Sequence, residues 1–439
     1  MQTLSDLRAG RLAGATQLRL NGPLSEFPEE LYDLADTLEV LEIANSGLNQ
    51  LPDDFARLKK LKILFAPSND FQVFPEVLSD CPALTMVGFK GNRIHTIPDI
   101  AIPPRANWVI LTDNQIETLP ASFGRLSRLQ KCMLAGNRLS SLPSTMRDCD
   151  SLQLLRLSAN RFTELPDFLL DLPRLSWLAF AGNPFHQSFK PTTALPRIQL
   201  SDLIVGEPLG SGASGTVSRA KWIRQPETLD ARHGEVAYKA FKGAMTSDGF
   251  ATDELSATLA AGQHNGLVSP LAMVDDGATP GLVMSLIPDG FYNLGKPPNF
   301  ETCTRDVFPA DMNISLETAT KILSSVAETM AHLHGQGVCH NDLYAHNILI
   351  NDDGAALLTD FGAAANLKSL PASQRARFEK IEVSAFGYLI DDLLGLVSPG
   401  ERQSDGFAEL SELTNTCQRA AVNERPDFRA IQQSLNSHI

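Results

Sequence analysis

Residues 340–362, HNDLYAHNILINDDGAALLTDFG, concentrate polar side chains around two short apolar runs. The runs NILI and AALL flank the turn Asp352-Asp353-Gly354, which predicts a β-hairpin. Residues 316–337, LETATKILSSVAETMAHLHGQG, precede this stretch with the apolar spacing of an amphipathic helix. The sequence therefore predicts a helix, a loop with Asp342 and Asn347, a hairpin, and a second loop with Asp360.

The two loops resemble motifs of protein kinases. His340-Asn-Asp342-Leu-Tyr-Ala-His-Asn347 is similar to the catalytic loop H-R-D-L-x-x-x-N, and Asp360-Phe361-Gly362 follows thirteen residues after Asn347 as the D-F-G motif. The resemblance implies that Asp342 lies near the acceptor hydroxyl. It also implies that Asn347 and Asp360 bind Mg²⁺ on the phosphates of ATP.

Two stretches farther upstream extend this resemblance. Residues 209–217, LGSGASGTV, contain a glycine spacing that also opens dinucleotide-binding folds, but here a β-branched pair continues as a strand rather than a helix. The run Val236-Ala237-Tyr238-Lys239 is similar to the kinase V-A-I-K strand, and a lysine inside an apolar strand is costly unless it is paired. We expect Glu254 to be its partner, with the neighbouring Asp253 as the alternative.

The resemblance also implies which residues hold the nucleotide. Residues 281–290, GLVMSLIPDG, look like the strand and hinge that bind adenine, with Met284 as gatekeeper. Near the C-terminus, Arg425 lies in a segment similar to the closing motif of the family. The residues expected to contact ATP are Leu209, Gly210, Ser211, Gly212, Ala213, Ser214, Gly215, Thr216, Val217, Ala237, Lys239, Met284, Leu286 and Leu349.

The sequence departs from the family pattern after the catalytic histidine. Asn341 replaces the arginine that usually reads out a phosphorylated activation loop, which makes this a non-RD sequence and predicts activity without such phosphorylation. Tyr344 and His346 occupy the positions where serine/threonine kinases carry a lysine or tyrosine kinases an arginine. The stretch from Asp360 to a helix expected at about Ile381 is short, about twenty residues. Serine/threonine specificity is the default expectation.

The N-terminal half of the chain is a repeat array. An apolar–Pro dipeptide recurs every 22 to 24 residues, and an asparagine series runs in step with it. The dipeptides begin at Phe27, Leu51, Phe74, Ile97, Leu119, Leu142 and Leu165. The asparagines are Asn69, Asn92, Asn114, Asn137, Asn160 and Asn183. Repeats of this length indicate stacked coils that share one core.

These repeats resemble the leucine-rich repeat, LxLxxNxLxxLP, over about residues 15–190. The resemblance implies an α/β solenoid with short parallel strands, a buried asparagine bonded to the adjacent coil, and a helical cap near Thr3–Leu12. The fold class expected for the chain is therefore an α/β leucine-rich-repeat solenoid followed by an α+β bilobal protein-kinase-like domain. The expected boundaries are 1–190 for seven to eight repeats, 191–199 for a linker and 200–439 for the kinase domain.

Strand positions before and within each apolar triplet are expected to face outward on the concave sheet. They are Val40, Glu42, Ile63, Phe65, Met86, Gly88, Trp108, Ile110, Lys131, Met133, Leu154, Arg156, Trp177 and Ala179. An outward stripe this apolar indicates a contact surface. Either it docks a protein ligand, or the kinase domain or a second copy of the chain covers it.

Composition limits the class of protein. With 37 basic and 51 acidic residues among 439, the net charge is −14, which argues against a dedicated nucleic-acid binder. Six scattered cysteines without paired spacing fit a reducing compartment. The sequence contains no apolar run of 18 residues and no signal-like N-terminus, so it predicts a cytoplasmic protein without a membrane span.

Three functions are compatible with these motifs. The first is an active kinase for protein serine or threonine, using ATP and Mg²⁺, whose repeats recruit the substrate or a partner. The second is a pseudokinase scaffold that binds nucleotide without efficient transfer. The third is a small-molecule phosphotransferase on a kinase-like fold, against which the hinge, the glycine-rich loop and the Arg425 motif argue.

Overall fold

Backbone contacts divide the chain between Leu175 and Ser176 into two units, each described by itself. The computed structural model describes residues 3–189, 195–212, 214–229, 233–242, 246, 248–275 and 280–436. The expected boundary at residue 190 stays a prediction. The expected linker 191–199 lies partly outside the described residues, and its far end already forms a strand of the second unit.

The first unit repeats one structural motif, a parallel strand followed by a 3₁₀ helix in most repeats. A short helix, α1 (Leu4–Arg8), precedes the repeats, and the Thr3 side chain caps it by accepting from the Asp6 N–H. The 3₁₀ helices are Glu29–Leu34, Phe55–Arg57, Glu76–Asp80, Ala121–Arg125, Ser144–Asp148 and Asp167–Asp171. The strands, each paired in parallel with the next in chain order, are β1 (Gln17–Asn21), β2 (Val40–Ala44), β3 (Ile63–Phe65), β4 (Met86–Gly88), β5 (Trp108–Ile110), β6 (Lys131–Met133) and β7 (Leu154–Arg156).

The asparagine series forms a ladder of hydrogen bonds between neighbouring coils. Asn137, which is 6% exposed, accepts from the Ile116 N–H at 3.0 Å and donates to the carbonyl oxygens of Leu111 and Leu134, each at 2.9 Å. Asn69, Asn92, Asn114 and Asn160 bond the preceding coil in the same way. The ladder supplies partners for backbone groups that would otherwise be buried without hydrogen bonds.

The second unit begins with a coil of repeat type and continues into a twisted sheet. The coil contains β8 (Trp177–Ala179). The sheet has the order β10-β11-β12-β14-β13-β9 and is antiparallel except for β9 on β13. Its strands are β9 (Arg197–Ile198), β10 (Leu203–Ser211), β11 (Gly215–Trp222), β12 (Glu235–Phe241), β13 (Pro270–Val274) and β14 (Gly281–Ser285). Helix α2 (Ala251–Ala261) packs Leu255 and Leu259 against Phe241 and Leu282 of this sheet.

The remainder of the second unit is mainly helical. Its helices are α3 (Leu316–Gln336), α4 (Ala372–Leu396), α5 (Asp405–Cys417) and α6 (Phe428–Asn436). The short strands are β15 (Tyr292–Asn293), β16 (Val338–Cys339), β17 (Ile348–Ile350), β18 (Ala356–Leu358) and β19 (Ala365–Asn366). The β17–β18 hairpin and α3 match the elements predicted from the sequence, and α3 ends at Gly337, whose φ of 80° is left-handed.

Helix α4 begins earlier than the sequence predicted. The expected start near Ile381 was wrong, because the helix already begins at Ala372, directly after Pro371. Residues 372–380, ASQRARFEK, are mostly good helix formers, and Pro371 at the N-cap presets the helical entry. From Ile381 to Ile390 nearly every residue is buried, so the helix lies inside this half. No helix in the described part of the chain is long and apolar enough to cross a membrane.

Candidate active site

A cavity of about 550 Å³ lies between the sheet and the helical half of the second unit. Its walls include the tip of the β10–β11 hairpin, the residues that follow β14, and the loop after β18. Most residues that the sequence predicted around a nucleotide line it. They are Leu209, Gly210, Gly212, Ser214, Gly215, Val217, Ala237, Lys239, Met284, Leu286 and Leu349. The chain therefore brings these scattered residues to one cleft.

Lys239 and Glu254 form an ion pair at the back of the cavity. Lys239 lies on β12 and Glu254 on the first turn of α2, and the ammonium donates directly to Glu254 Oε1. The Glu254 side chain is 5% exposed, and burial raises its pKa while the Lys239 charge opposes that rise. Asp253, the alternative partner, is also buried, which raises its pKa. The pairing satisfies both buried charges, since an unpaired charge here would be costly.

Asp342 and Asn347 are joined in the loop before β17. The Asn347 amide group donates to the Asp342 carboxylate at 2.8 Å and to the Asp342 carbonyl oxygen at 2.9 Å. The amide thus orients the carboxylate. Within the described part of the chain Asn347 Oδ1 accepts no hydrogen bond, so it is available to a cation.

Asp360 follows β18 and reaches the same cavity. Its φ is 60°, a left-handed conformation that aspartate tolerates better than most residues, and Oδ1 accepts from the Gly362 N–H at 3.0 Å. No cluster of three or more His, Cys, Asp or Glu side chains suited to a metal occurs among the described residues. Mg²⁺ typically uses one or two carboxylates together with substrate phosphates, so Asn347 and Asp360 fit such a site.

The glycine-rich hairpin is open where a ligand would approach. A Cβ on Gly210 or Gly212 would meet no atom within 4 Å, whereas on Gly215 it would lie 2.5 Å from the Ala240 carbonyl oxygen. Packing within the described chain therefore requires only the third glycine, and the first two leave backbone accessible. Ser211 and Thr216 bond each other through their hydroxyl groups at 3.1 Å and do not line the cavity. The predicted contact Ala213 lies outside the described residues.

Comparisons with known proteins identify the class of domain in the C-terminal half. The family described as protein tyrosine and serine/threonine kinase matches residues 203–384. The C-terminal half contains a protein kinase domain. Fibroblast growth factor receptor 1 of Pleurodeles waltl is 22% identical over 278 residues, covering 53% of this chain and 34% of the receptor. Fibroblast growth factor receptor 1 of Xenopus laevis has the same identity and coverage.

A third relative is the serine/threonine-protein kinase PkaA of Streptomyces coelicolor. It is 33% identical over 177 residues, an alignment that covers 37% of this chain and 30% of the relative. The chain thus spans about a third of the length of the curated relatives it matches.

Within the kinase domain, Asn341 stands where the resemblance predicts an arginine. It forms an uncharged, buried tie, by which we mean a set of hydrogen bonds to neighbouring segments. It is 1% exposed, and its amide donates to the Ala363 carbonyl oxygen at 3.0 Å, just beyond the Asp-Phe-Gly motif. Its backbone N–H donates to Glu382 Oε1 at 2.6 Å, and the other carboxylate oxygen of Glu382 bonds His334 Nε2 at 2.7 Å. Within the described residues, the loop from His340 to Asn347 is therefore held to the segment after Gly362 through Asn341.

Asp306 is a site residue that the sequence analysis missed. Its carboxylate accepts from the His346 N–H at 3.0 Å and lies 2.7 Å from His346 Nδ1. Burial is the largest single effect and opposes protonation of His346. The Asp306 hydrogen bond and the charges of Asp306, Asp342 and Asp360 together outweigh it, so the pKa of the imidazole is raised. Asp306 lies in irregular chain between β15 and α3, where neither periodicity nor a motif distinguishes it.

Trp177 was expected on the concave face of the sheet, where either a protein ligand or the kinase domain or a second copy of the chain would cover it. The side chain is 1% exposed, and it lies against the catalytic loop of the kinase domain. Of the two interpretations of the apolar stripe, Trp177 follows the second, in which the kinase domain covers the position. Sequence periodicity reports which way a strand residue points, but not what a distant segment brings against it.

Proposed function

We propose that this protein is an ATP-dependent kinase that transfers the γ-phosphate to serine or threonine of a protein, while its repeats recruit the substrate or a partner. The main support is that one cavity gathers the Lys239–Glu254 ion pair and Asp360. The Asp342–Asn347 pair adjoins this cavity, because the Asn347 carbonyl oxygen accepts from the N–H of Thr359, a residue of the cavity wall, at 2.9 Å. These three groups cover the positioning, acceptor and cation functions that phosphoryl transfer needs.

Each residue has a distinct role in this proposal. Lys239 neutralises negative charge on the phosphates, and Glu254 keeps the ammonium at the back of the cavity. The oxygen of the acceptor hydroxyl forms a bond to the γ-phosphorus, and the bond between the γ-phosphorus and the oxygen shared with the β-phosphate breaks. Asp342 receives the proton that the hydroxyl loses. Asn347 orients Asp342 through the bond to its carboxylate. Ala237 and Leu349 line the cavity where an adenine ring needs apolar contact.

Mg²⁺ would be held by Asn347 Oδ1 and the Asp360 carboxylate. When bound, the ion supplies positive charge that the phosphates require and that protein side chains alone do not provide. The residues fit this role because the amide donors of Asn347 are already engaged by Asp342, which leaves its oxygen for the ion.

Serine/threonine specificity is supported by the relative PkaA, whose name states that specificity. The uncharged tie made by Asn341 supports activity that needs no phosphorylated activation loop. Nine residues, 363–371, separate Gly362 from α4. This segment is too short to form a long docking loop. Recognition of a protein substrate is then expected to depend on surfaces outside this segment.

The repeats are proposed to form a leucine-rich-repeat solenoid that binds a protein ligand on its concave sheet. The asparagine ladder and the parallel strands support the solenoid. The partly exposed side chains on this sheet support the ligand: the Phe65 and Trp108 rings meet edge to face at 6.3 Å, and Lys131 Nζ lies 4.2 Å from the Trp108 ring centroid. Aromatic residues are enriched at protein contact surfaces. We expect the protein to act in the cytoplasm.

The decisive experiment is phosphate transfer by the full chain from γ-labelled ATP with Mg²⁺ to a generic protein substrate, followed by phosphoamino-acid analysis. Asp342→Asn should lower the rate at least about a hundredfold because the proton acceptor is lost. ATP affinity should stay within about twofold, since Asp342 is not part of the nucleotide contacts. Asp353→Asn, a change in the exposed turn of the β17–β18 hairpin, is the matched control and should retain full activity.

Other outcomes identify the alternatives. Nucleotide binding without transfer by the wild-type chain would indicate the pseudokinase scaffold. Transfer to a small hydroxyl compound but to no protein would indicate the small-molecule phosphotransferase. Labelled phosphotyrosine without phosphoserine or phosphothreonine would leave the kinase intact and overturn the proposed specificity.

A further inference from the structure

The first coil of the second unit, residues 176–189, which we term the junction coil, is built against the catalytic loop. The Trp177 indole lies flat on the Tyr344 ring, with centroids 4.3 Å apart and planes 7° apart. It also stacks on Tyr388 of α4 at 5.4 Å and 21°. Its Nε1–H donates to the Leu343 carbonyl oxygen at 3.0 Å. Leu343 and Tyr344 directly follow Asp342, so Trp177 contacts the two residues next to the proposed base.

The junction coil is also anchored to helix α4. The Ser176 hydroxyl donates to the Ser384 hydroxyl at 2.8 Å in a buried position. The Phe180 ring meets Phe378 edge to face with centroids 5.2 Å apart, and both rings are fully buried. Because α4 is the buried central helix of this half, the coil that carries Trp177 has a fixed support.

A third set of contacts joins the junction coil to the short segment after the Asp-Phe-Gly motif. The Asn366 N–H donates to His186 Nε2 at 3.1 Å, and the Asn366 amide donates to the Gln187 carbonyl oxygen at 3.0 Å. In return, the Gln187 N–H donates to the Ser369 hydroxyl at 2.8 Å. The nine residues 363–371 between Gly362 and α4 are too few to pack under the loop by themselves, and the junction coil supplies hydrogen-bond partners for them.

We infer that the junction coil takes over the support of the catalytic loop from the shortened segment, with Trp177 as the positioning residue for Asp342. Trp177 touches neither the cavity wall nor the residues that hold the phosphates. It acts through the Leu343 peptide and the Tyr344 ring, which fix the backbone beside the carboxylate. The expected effect of Trp177 on the reaction rate rests on the proposed function, whereas its expected effect on the structure of the loop does not.

One consequence concerns the domain boundary. A chain beginning at residue 200, the boundary that the sequence suggested for the kinase domain, would lack the junction coil. It would expose the Tyr344 and Tyr388 rings and leave the Leu343 carbonyl oxygen without its indole partner. The functional kinase unit therefore begins at or before Ser176.

Trp177→Phe in the full chain is the primary test, because phenylalanine keeps an aromatic ring for stacking but removes the N–H donor. We expect kcat to fall about tenfold, since loss of one buried hydrogen bond to the loop corresponds to about that factor. KM for ATP should stay within about twofold. Trp177→Leu, which removes the aromatic ring as well, should lower kcat further. Trp222→Phe, the same change in the N-terminal sheet of this unit, is the matched control and should leave kcat unchanged.

Hydrogen exchange provides a readout that does not depend on activity. The amides of His346 and Asn347, which donate to Asp306 and to the Tyr344 carbonyl oxygen, should exchange at least about fivefold faster in Trp177→Phe. A purely structural role would lower the thermal midpoint while leaving kcat per folded molecule and loop exchange at wild-type values, and this result would overturn the inference. If the wild-type chain transfers no phosphate, the proposed function fails, and loop exchange alone decides the inference.

Discussion

The two units satisfy their buried polar groups in opposite ways. In the repeats, Asn137 bonds Ile116, Leu111 and Leu134, all within 26 residues, and four further asparagines of that unit repeat the arrangement. In the second unit, Trp177 bonds Leu343 across 166 residues, and Asn341 bonds Glu382 across 41. Local, repeated bonds leave a periodic trace in the sequence, whereas single long-range bonds leave none. The following predictions test this difference, beginning with the largest effect.

Asn137→Ala should destabilise the repeat unit by about 3 to 5 kcal/mol. The change leaves one N–H and two carbonyl groups of neighbouring coils buried without their partner, and each such group costs about 1 to 3 kcal/mol. The loss is measured by hydrogen exchange of the amides in residues 108–156 of the full chain. Arg138→Ala is the control, because its ion pair with Glu117 is exposed and long at 3.9 Å. It should change stability by less than about 0.5 kcal/mol.

A loss of stability below about 1 kcal/mol for Asn137→Ala would contradict the difference proposed between the two units. It would mean that neighbouring coils relax to provide substitute partners, so that the ladder is a consequence of the fold rather than a support for it.

Asp306→Asn should lower kcat about tenfold with little change in the stability of the repeats. Asparagine retains an acceptor for the His346 N–H but loses the charge that pairs with the imidazole, and a charge-assisted bond is worth about 1.5 to 3 kcal/mol. Steady-state transfer at saturating ATP measures the effect. Asp311→Asn, an exposed change in the same connecting segment, should match the wild type. Equal rates for both variants would show that the Asp306 contact does not position the loop.

The smallest expected effect is a pH dependence at the junction coil. Burial lowers the pKa of His186 to about 4, below the ordinary value near 6.5. Between these values the unfolded chain binds more protons, so stability is present above pH 6.5 and is lost as pH falls toward 4. We expect a loss of about 1 kcal/mol between pH 7 and pH 5.5.

His186→Gln offers the matched comparison for this dependence. Glutamine can still accept from the Asn366 N–H but does not titrate, so the stability difference between variant and wild type should change with pH. The measurement is the urea midpoint of the second unit at pH 7 and pH 5.5. Parallel losses in both proteins would assign the pH dependence to other groups.

The secondary structure of the kinase domain could be predicted near the motifs that contain Asp342 and Asp360. The β17–β18 hairpin and helix α3 follow from alternating or helical apolar spacing, which depends only on nearby residues. Lys239 and Glu254 could be proposed as partners because a lysine in an apolar strand demands a carboxylate. The early start of α4 at Ala372 was missed, because the motif at Ile381 suggested a longer loop than the helix-forming residues before it allow.

The sequence alone determined the repeat period, the buried asparagines, the order of the phosphoryl-transfer motifs and the residues that carry them. These features depend on chemistry within one coil or one loop. Only the tertiary structure decided that Trp177 is buried on Tyr344, that Asp306 holds His346, and that Glu382 receives the Asn341 N–H. Those contacts join segments that are 40 to 170 residues apart, and such pairs are selected by packing of the whole unit rather than by any local pattern.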